Sequence, residues 1–221
     1  MYEGKSNSPV GEYFLHRRIL VFVKDRLPDD ISIEACLRKI EKKIPEHLLH
    51  ELDSIYIGQF KEFAERDINA FYRDGAIFVT NDQSDDSDLI DDIVHEIAHS
   101  VEEYHTSKIY GDALLEGEFL GKRQRLYDIM RQHELDVDIT RVQKLFFNLK
   151  YSLKFDNLLY KQVGYPLLAS ISVGLFCNPY AITSLREYFA SGFEEYYIGD
   201  RMHLKRTCPR LYNKINELNE E

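Results

Sequence analysis

The first half of the chain alternates between short apolar runs and an amphipathic helical pattern. Residues 18–27 (RILVFVKDRL) are rich in β-branched and aromatic side chains and predict a buried strand. After Ser32, a suitable helix N-cap, apolar side chains recur at helical spacing, so residues 33–44 predict an amphipathic helix that ends before the next proline. Residues 53–60 (DSIYIGQF) and 75–82 (GAIFVTND) predict two more strands.

Helical patterns dominate the second half of the chain. Predicted helices, with glycine and proline residues between some of them, cover residues 112–133, 137–154, 158–176, 184–198 and 209–219. Strands come first and helices follow, which predicts an α+β fold with a small N-terminal β-sheet, a helix packed on it and a mostly helical C-terminal part. For a chain of 221 residues we expect one domain, 1–221, with a sheet part at about 14–106 and a helical part at about 107–221.

A long helical pattern lies where these two parts meet, and it contains the motif HEIAH. It follows the acidic segment NDQSDDSD, whose side chains suit a helix N-terminus, and apolar residues cover a broad face of it. His95 and His99 are four residues apart and therefore share a helix face, where two imidazoles can bind the same metal ion. Glu96 lies beside His95, in a position to accept a proton from water.

The motif predicts one catalytic zinc ion. Catalytic zinc takes three protein ligands and leaves a fourth position for water, whose pKa the metal lowers. A match of five residues also arises by chance on solvated helices. Here the helix is strongly apolar and follows the predicted strand at residues 75–82, and both features favour a buried site over a chance match.

The third zinc ligand has several candidates near the motif. His105 stands at the spacing of the metzincin pattern HExxHxxGxxH, but Glu102 replaces the glycine that ends the helix in that pattern. If the helix continues through Glu102, His105 lies about 240° around the axis from His99 and points away from the metal. Glu116 and Glu118 follow at a spacing close to that of thermolysin-like enzymes, but without the flanking Asn and Asp, so an exposed helical position is the simpler interpretation.

Glu187 is a more distant candidate, in a helical pattern with aromatic and apolar neighbours (SLREYFASGF). A carboxylate that faces such a surface must be paired or metal-bound, because burial of a free charge is costly. Ser184 and Glu187 also match a capping box, in which the Glu187 side chain bonds back to the start of its own helix. The residues alone leave these alternatives open.

Together, HEIAHSVEEYH and REYFASGF resemble the gluzincin peptidases related to the catalytic domain of anthrax lethal factor. The resemblance implies a zincin-like fold, and it implies that Glu187 is the third zinc ligand, because Glu187 matches the glutamate of the family's second motif. Tyr180 matches a family tyrosine seven residues before that glutamate, whose hydroxyl donates a hydrogen bond to the developing oxyanion. The match covers about residues 75–104 and 180–218, and Ser191 stands where the family has a second acid.

The resemblance implies a zinc metalloendopeptidase that acts on a protein or peptide substrate. The implied zinc ligands are His95, His99 and Glu187. Glu96 is the implied general base, and Tyr180 is the implied hydrogen-bond donor to the oxyanion. A metzincin-type site with His105 is one alternative, and a non-catalytic zinc-binding interaction module that keeps the peptidase fold is another. In such folds an edge strand pairs with extended substrate, and residues 75–82 are the candidate.

Composition narrows the possible partners and compartments. The chain has 28 basic and 38 acidic residues, a net charge of −10, which argues against a nucleic-acid partner. No apolar run approaches the ~20 residues of a membrane span, and the N-terminal MYEGKSNSPVGEYF lacks the hydrophobic region of a signal peptide. Cys36, Cys177 and Cys208 are widely spaced and indicate neither a metal-ligand pair nor a disulfide framework. We therefore expect a cytoplasmic protein, with leaderless export as the alternative.

Overall fold

A computed structural model describes residues 10–66, 68–132 and 139–220. The chain forms two compact units, Met1–Tyr104 and His105–Glu221. In the described residues, the first unit combines a mixed β-sheet with three α-helices, and the second unit is helical. The α+β class predicted from the order of the elements is confirmed.

Five short strands form one sheet in the first unit, in the order β1-β2-β3-β5-β4. They are β1 (Gly11–Leu15), β2 (Ile19–Val23), β3 (Ser54–Ile57), β4 (Ala70–Arg73) and β5 (Ala76–Val79). β2, β3 and β5 are parallel, whereas β1 and β4 pair antiparallel with β2 and β5 at the two ends of the order. Val21, Ile55 and Ile77 are adjacent in register on the three central strands and fully buried, so they belong to the face of the sheet that lies against the core.

β5 is an inner strand, and this corrects the prediction that residues 75–82 provide an edge for an extended substrate. Ile77 of β5 pairs with Ile55 of β3 on one side and with Tyr72 of β4 on the other. Because both rows of backbone groups of β5 are paired inside the sheet, another strand has no place to add there. The outer strands are β1 and β4, and the apolar pattern predicted neither of them.

Three helices accompany the sheet: α1 (Ile33–Lys43), α2 (Lys61–Arg66) and α3 (Asp86–Tyr104). Ser32 caps α1 as predicted, because its side chain accepts a hydrogen bond from the Ala35 N–H group. α3 packs against α1, β4 and β5, and its apolar residues from Leu89 to Val101 are buried. The motif helix is therefore held by the core of the first unit.

Seven α-helices lie in the described part of the second unit: α4 (Thr106–Tyr110), α5 (Leu114–Gln132), α6 (Leu153–Asn157), α7 (Tyr165–Ile171), α8 (Leu185–Tyr197), α9 (Arg201–Thr207) and α10 (Pro209–Asn219). Two 3₁₀ helices, Ile139–Phe147 and Tyr180–Ile182, and a π-helix, Leu158–Val163, connect some of them. α5, α8 and α10 pack on one another, and each contributes a fully buried side chain: Phe119, Tyr188 and Leu211.

α8 and α10 confirm the helices predicted at 184–198 and 209–219. α5 confirms the helix predicted at 112–133 as far as residue 132. Those predicted at 137–154 and 158–176 are wrong in their extent, because each region is broken into shorter pieces. Residues 133, 137 and 138, which these predictions also included, lie outside the described ranges. Among the described residues, no helix combines the length and apolar character that a membrane crossing requires.

Candidate metal centre

α3 begins in an acidic turn and carries the HEIAH motif in its second half. Asp85 Oδ1 accepts hydrogen bonds from the N–H groups of Ser87 and Asp88, which would otherwise lack partners at the start of the helix. Further along, Ile93 and Ile97 are fully buried. The packing of this apolar face fixes the rotation of α3 about its axis, and with it the directions of the motif side chains.

The imidazole rings of His95 and His99 are neighbours on α3. Their centroids are 5.0 Å apart and their planes are inclined by 80°. His99 is buried, whereas His95 is half-buried. The pair thus provides two nitrogen ligands on one side of the helix, in the arrangement that the four-residue spacing predicts.

Glu102 lies against His99, one turn further along the helix. Its Oε2 atom is 3.2 Å from His99 Nδ1, and the two residues are only 5 % and 8 % exposed. An ionised carboxylate can only accept, so a hydrogen bond to it requires the proton on Nδ1, and in a neutral ring Nε2 then has the lone pair that a metal ion requires. Metal-binding histidines typically donate their other ring N–H to such a group. Glu103, the next residue, is exposed.

Two further carboxylates belong to the buried part of α3. Glu96 of the motif is only 7 % exposed. Asp92 lies one turn before His95 and interacts with it electrostatically; burial raises the pKa of Asp92, against the opposing effect of a hydrogen bond that Gln83 Nε2 donates at 2.8 Å. Asp92 was not among the residues predicted for the site, although its spacing of three residues from His95 places both on one helix face.

In the second unit, Glu187 lies in the first turn of α8. Ser184 Oγ accepts a hydrogen bond from the Glu187 N–H group at 3.1 Å, so Ser184 is the N-cap that the capping-box pattern predicts. The Glu187 side chain is half-buried. Desolvation raises the pKa values of Tyr151, Tyr165 and Tyr180, and the charge of Glu187 contributes to the increase at all three. The Glu187 carboxylate therefore lies near phenol groups from three different segments.

Tyr180 begins the 3₁₀ turn that precedes α8. Its side chain is 39 % exposed, yet desolvation, followed by the charge of Glu187, raises its pKa well above the usual range. The hydroxyl therefore keeps its proton at physiological pH and can donate a hydrogen bond. Asn178 Oδ1 accepts a hydrogen bond from the Ala181 N–H group at 2.8 Å, near the start of this turn.

Arg123 of α5 holds this turn from the core of the second unit. It is fully buried; its Nε donates to Ile182 O at 2.8 Å and its Nη1 to Asn148 O at 2.6 Å. The rings of Phe119 and Phe155 lie 4.4 and 4.5 Å from the guanidinium carbon. Desolvation lowers the pKa of Arg123 to about 9, so the group is still charged at neutral pH. Sequence patterns did not reveal this residue, because an arginine in a helical pattern is usually exposed.

Glu118 contacts the start of α10, and the interpretation of it as an exposed helical acid is wrong. Its Oε1 accepts from the Leu211 N–H group at 3.1 Å and from the Tyr188 hydroxyl at 2.8 Å, and its Oε2 accepts from the Arg210 N–H group at 2.9 Å. A carboxylate at the start of α10 accepts from backbone N–H groups that lack partners within the helix, and its negative charge interacts favourably with the helix macrodipole. Glu116, two residues earlier, is half-buried.

His105 lies at the start of α4, directly after α3. α3 continues through Glu102, as the absence of a glycine there predicts, and ends at Tyr104. The His105 carbonyl oxygen accepts hydrogen bonds from the N–H groups of Lys108 and Ile109, at 2.9 and 3.0 Å. The backbone of His105 therefore serves as the N-terminal cap residue of the next helix.

Comparisons of the chain with models of protein families, with curated proteins and with solved structures find no match. The case for a function therefore rests on the chemistry of the side chains described above.

Proposed function

We propose that this protein is a zinc metallopeptidase of the gluzincin type with a zincin-like fold. The observation that carries the proposal is the buried contact between the Glu102 carboxylate and His99 Nδ1, on the helix that also buries Glu96. A carboxylate that accepts from the ring N–H of a histidine is the usual neighbour of a metal-binding imidazole. A metal site accounts for both: Glu102 orients a ligand imidazole, and Glu96 acts on water beside it.

The proposed zinc ligands are His95, His99 and Glu187. The two histidines lie side by side on α3, and Glu187 matches the third ligand of the gluzincin peptidases that the two motifs resemble. Two imidazoles with one carboxylate form a donor set that catalytic zinc accepts, with a fourth position left open for water. Glu118 is engaged with the backbone of α10, which argues against it as the ligand.

Zinc in this position supplies a Lewis acid and lowers the pKa of water. Glu96 accepts a proton from the attacking water and later delivers it to the leaving amine of the peptide bond. Tyr180 donates a hydrogen bond to the oxygen of the scissile carbonyl as negative charge develops there. Glu102 keeps the tautomer and orientation of His99 fixed throughout.

Metal content tests the ligand set. We expect about one zinc ion per chain by elemental analysis of the purified protein, which is the stoichiometry of a mononuclear catalytic site. Glu187→Gln should bind zinc more weakly, whereas His105→Ala should bind it normally. The opposite result, weak binding by His105→Ala and normal binding by Glu187→Gln, would establish the metzincin-type site instead.

Cleavage of a peptide library, followed by mass spectrometry, tests the activity. Glu96→Gln should keep its zinc and lose about 10²–10⁴-fold in rate, the usual contribution of a general base. Glu103→Gln is the matched control, because it changes an exposed glutamate of the same helix in the same way. Full activity of Glu96→Gln contradicts the mechanism. Zinc without any chelator-sensitive cleavage supports the non-catalytic binding module.

A further inference from the structure

Two thiols that are distant in the sequence meet in the second unit. Cys177 Sγ and Cys208 Sγ are 3.8 Å apart, although the residues are separated by 31 positions. Cys177 is half-buried in the segment before the Tyr180 turn, and Cys208 is buried between α9 and α10. The sequence spacing predicted no such pair, because the contact depends on the packing of α8, α9 and α10.

Lys122 of α5 ties the two cysteine segments together. Its ammonium group donates to Leu175 O at 2.8 Å and to Thr207 O at 2.6 Å, and these residues lie next to or near the two cysteines in the sequence. The thiols are thus held in place by backbone contacts on both sides. Lys122 is itself buried, so this arrangement is part of the core of the second unit.

The neighbouring charged and polar groups shift the pKa values of the two thiols in opposite directions. A hydrogen bond from the Cys177 thiol, and then the charge of Lys122, lower the pKa of Cys208, while burial and Glu118 oppose this. The pKa of Cys177 is raised by its hydrogen bond to Cys208, by burial and by the charge of Glu195. Cys208 is therefore the better thiolate, whereas Cys177 is the more accessible sulfur.

We propose that Cys177 and Cys208 form a redox site that low-molecular-weight disulfides oxidise to an intramolecular disulfide. In the first step Cys208 releases its proton to water and takes up the proton of Cys177, its hydrogen-bond partner, so that Cys177 Sγ can attack a disulfide RSSR; a mixed disulfide forms, and the RS⁻ that leaves takes up the released proton as RSH. In the second step the Cys208 thiol loses its proton and its Sγ attacks Cys177 Sγ; the S–S bond of the mixed disulfide breaks, and the second RS⁻ takes up that proton and leaves as RSH. In total, two protein thiols and RSSR become one protein disulfide and two RSH.

The geometry favours this reaction over simple packing of two apolar thiols. The sulfurs are already in contact at 3.8 Å, and a disulfide needs them about 2.05 Å apart. Cys36, in the first unit, is the internal comparison. It is fully buried and its Sγ contacts Asp86 O at 3.7 Å, so the same reagent should not reach it, whereas Cys177 is only half-buried.

The full chain, first reduced, is incubated with oxidised glutathione, and free thiols are counted after denaturation. We expect the count to fall from the three cysteines of the chain to one, with Cys177 linked to Cys208 in non-reducing peptide maps and full recovery on reduction. Cys36→Ser should form the same link. A count that stays at three under oxidising glutathione, or a link that involves Cys36 or a second chain, overturns the proposal.

Single variants test the order of the steps. Cys208→Ser should accumulate glutathione on Cys177, because the resolving thiol is missing, and Cys177→Ser should react far more slowly, because Cys208 is buried. Equal rates in the two variants contradict the assigned roles.

The melting temperatures of reduced and oxidised Cys36→Ser test whether a Cys177–Cys208 disulfide fits the folded chain. Closure of a loop of this length should raise Tm by roughly 5–10 °C. An oxidised form that melts at the same or a lower temperature contradicts a disulfide that fits the folded chain.

Discussion

The hydrogen bond between Glu102 and His99 can be tested by removing one charge. Glu102→Gln has nearly the same size, and its side-chain oxygen can still accept from His99 Nδ1, so the packing and the tautomer are preserved. What changes is the negative charge of the acceptor. A hydrogen bond with a charged partner contributes ~1.5–3 kcal/mol and a neutral one ~0.5–1.5 kcal/mol, so the substitution removes about 1–1.5 kcal/mol.

Two features of the structure act on this magnitude in opposite directions. The distance of 3.2 Å is longer than the ~2.7–2.9 Å of the strongest charge-assisted bonds. Both partners are nearly inaccessible to water, however, so solvent screens the interaction little. We expect zinc to bind about 5–10-fold more weakly to Glu102→Gln, since 1.4 kcal/mol corresponds to about a factor of ten. Glu102→Ala, which leaves Nδ1 without this acceptor, should lose about 10–100-fold.

The measurement is a zinc titration in competition with a chromophoric chelator, at one pH and with circular dichroism as a check of folding. Glu103→Gln serves as the control, because it removes the same charge from an exposed position on the same helix. If Glu102→Gln and Glu103→Gln bind zinc equally well, Glu102 does not orient a metal ligand, and the main support for the proposed function is lost.

Chemical denaturation tests two contacts of the second unit. Glu118→Gln should lower the free energy of unfolding by about 1–2 kcal/mol, because the start of α10 loses the negative charge of Glu118 and one of its two acceptor oxygens. The control Glu116→Gln should change the free energy of unfolding by less than about 0.5 kcal/mol. Gly192→Ala should destabilise by about 1–2 kcal/mol, because the added Cβ would overlap the buried side chain of Leu211. At Gly117 an added Cβ meets nothing within 4 Å, so Gly117→Ala should stabilise by ~0.5–1 kcal/mol. Equal effects of the members of either pair contradict these contacts.

Sequence patterns predicted the helices that are defined by their own cap residues and apolar spacing. α1 with its Ser32 cap, the motif helix α3 and the helix α8 with its Ser184 cap all begin where side chains in the sequence indicate. The position of β5 inside the sheet could not be predicted in this way. It depends on a partner strand, β4, that has only four residues and no distinct apolar pattern.

The helix predicted at 137–154 fails for a similar reason. The carbonyl oxygens of Leu145 and Asn148 accept hydrogen bonds from Arg123, a residue of another helix. Such a long-range partner does not appear in the periodicity of the segment. In the candidate site, sequence spacing accounts for the side-by-side imidazoles and for Glu102, which lies three residues after His99 on the same helix. The phenol groups near Glu187 come from three separate segments and depend on the packed structure.

The contacts of Arg123 have a consequence for how the chain tolerates mutation. Its guanidinium group binds main-chain carbonyl oxygens of Ile182, Leu145, Phe146 and Asn148, and every residue type has such an oxygen. The identities of the acceptor residues are therefore not restricted by this interaction, while no other side chain provides five N–H donors in a planar fork. In a saturation-mutagenesis experiment on a folded-state reporter, position 123 should accept arginine alone, and position 148 should accept many residues.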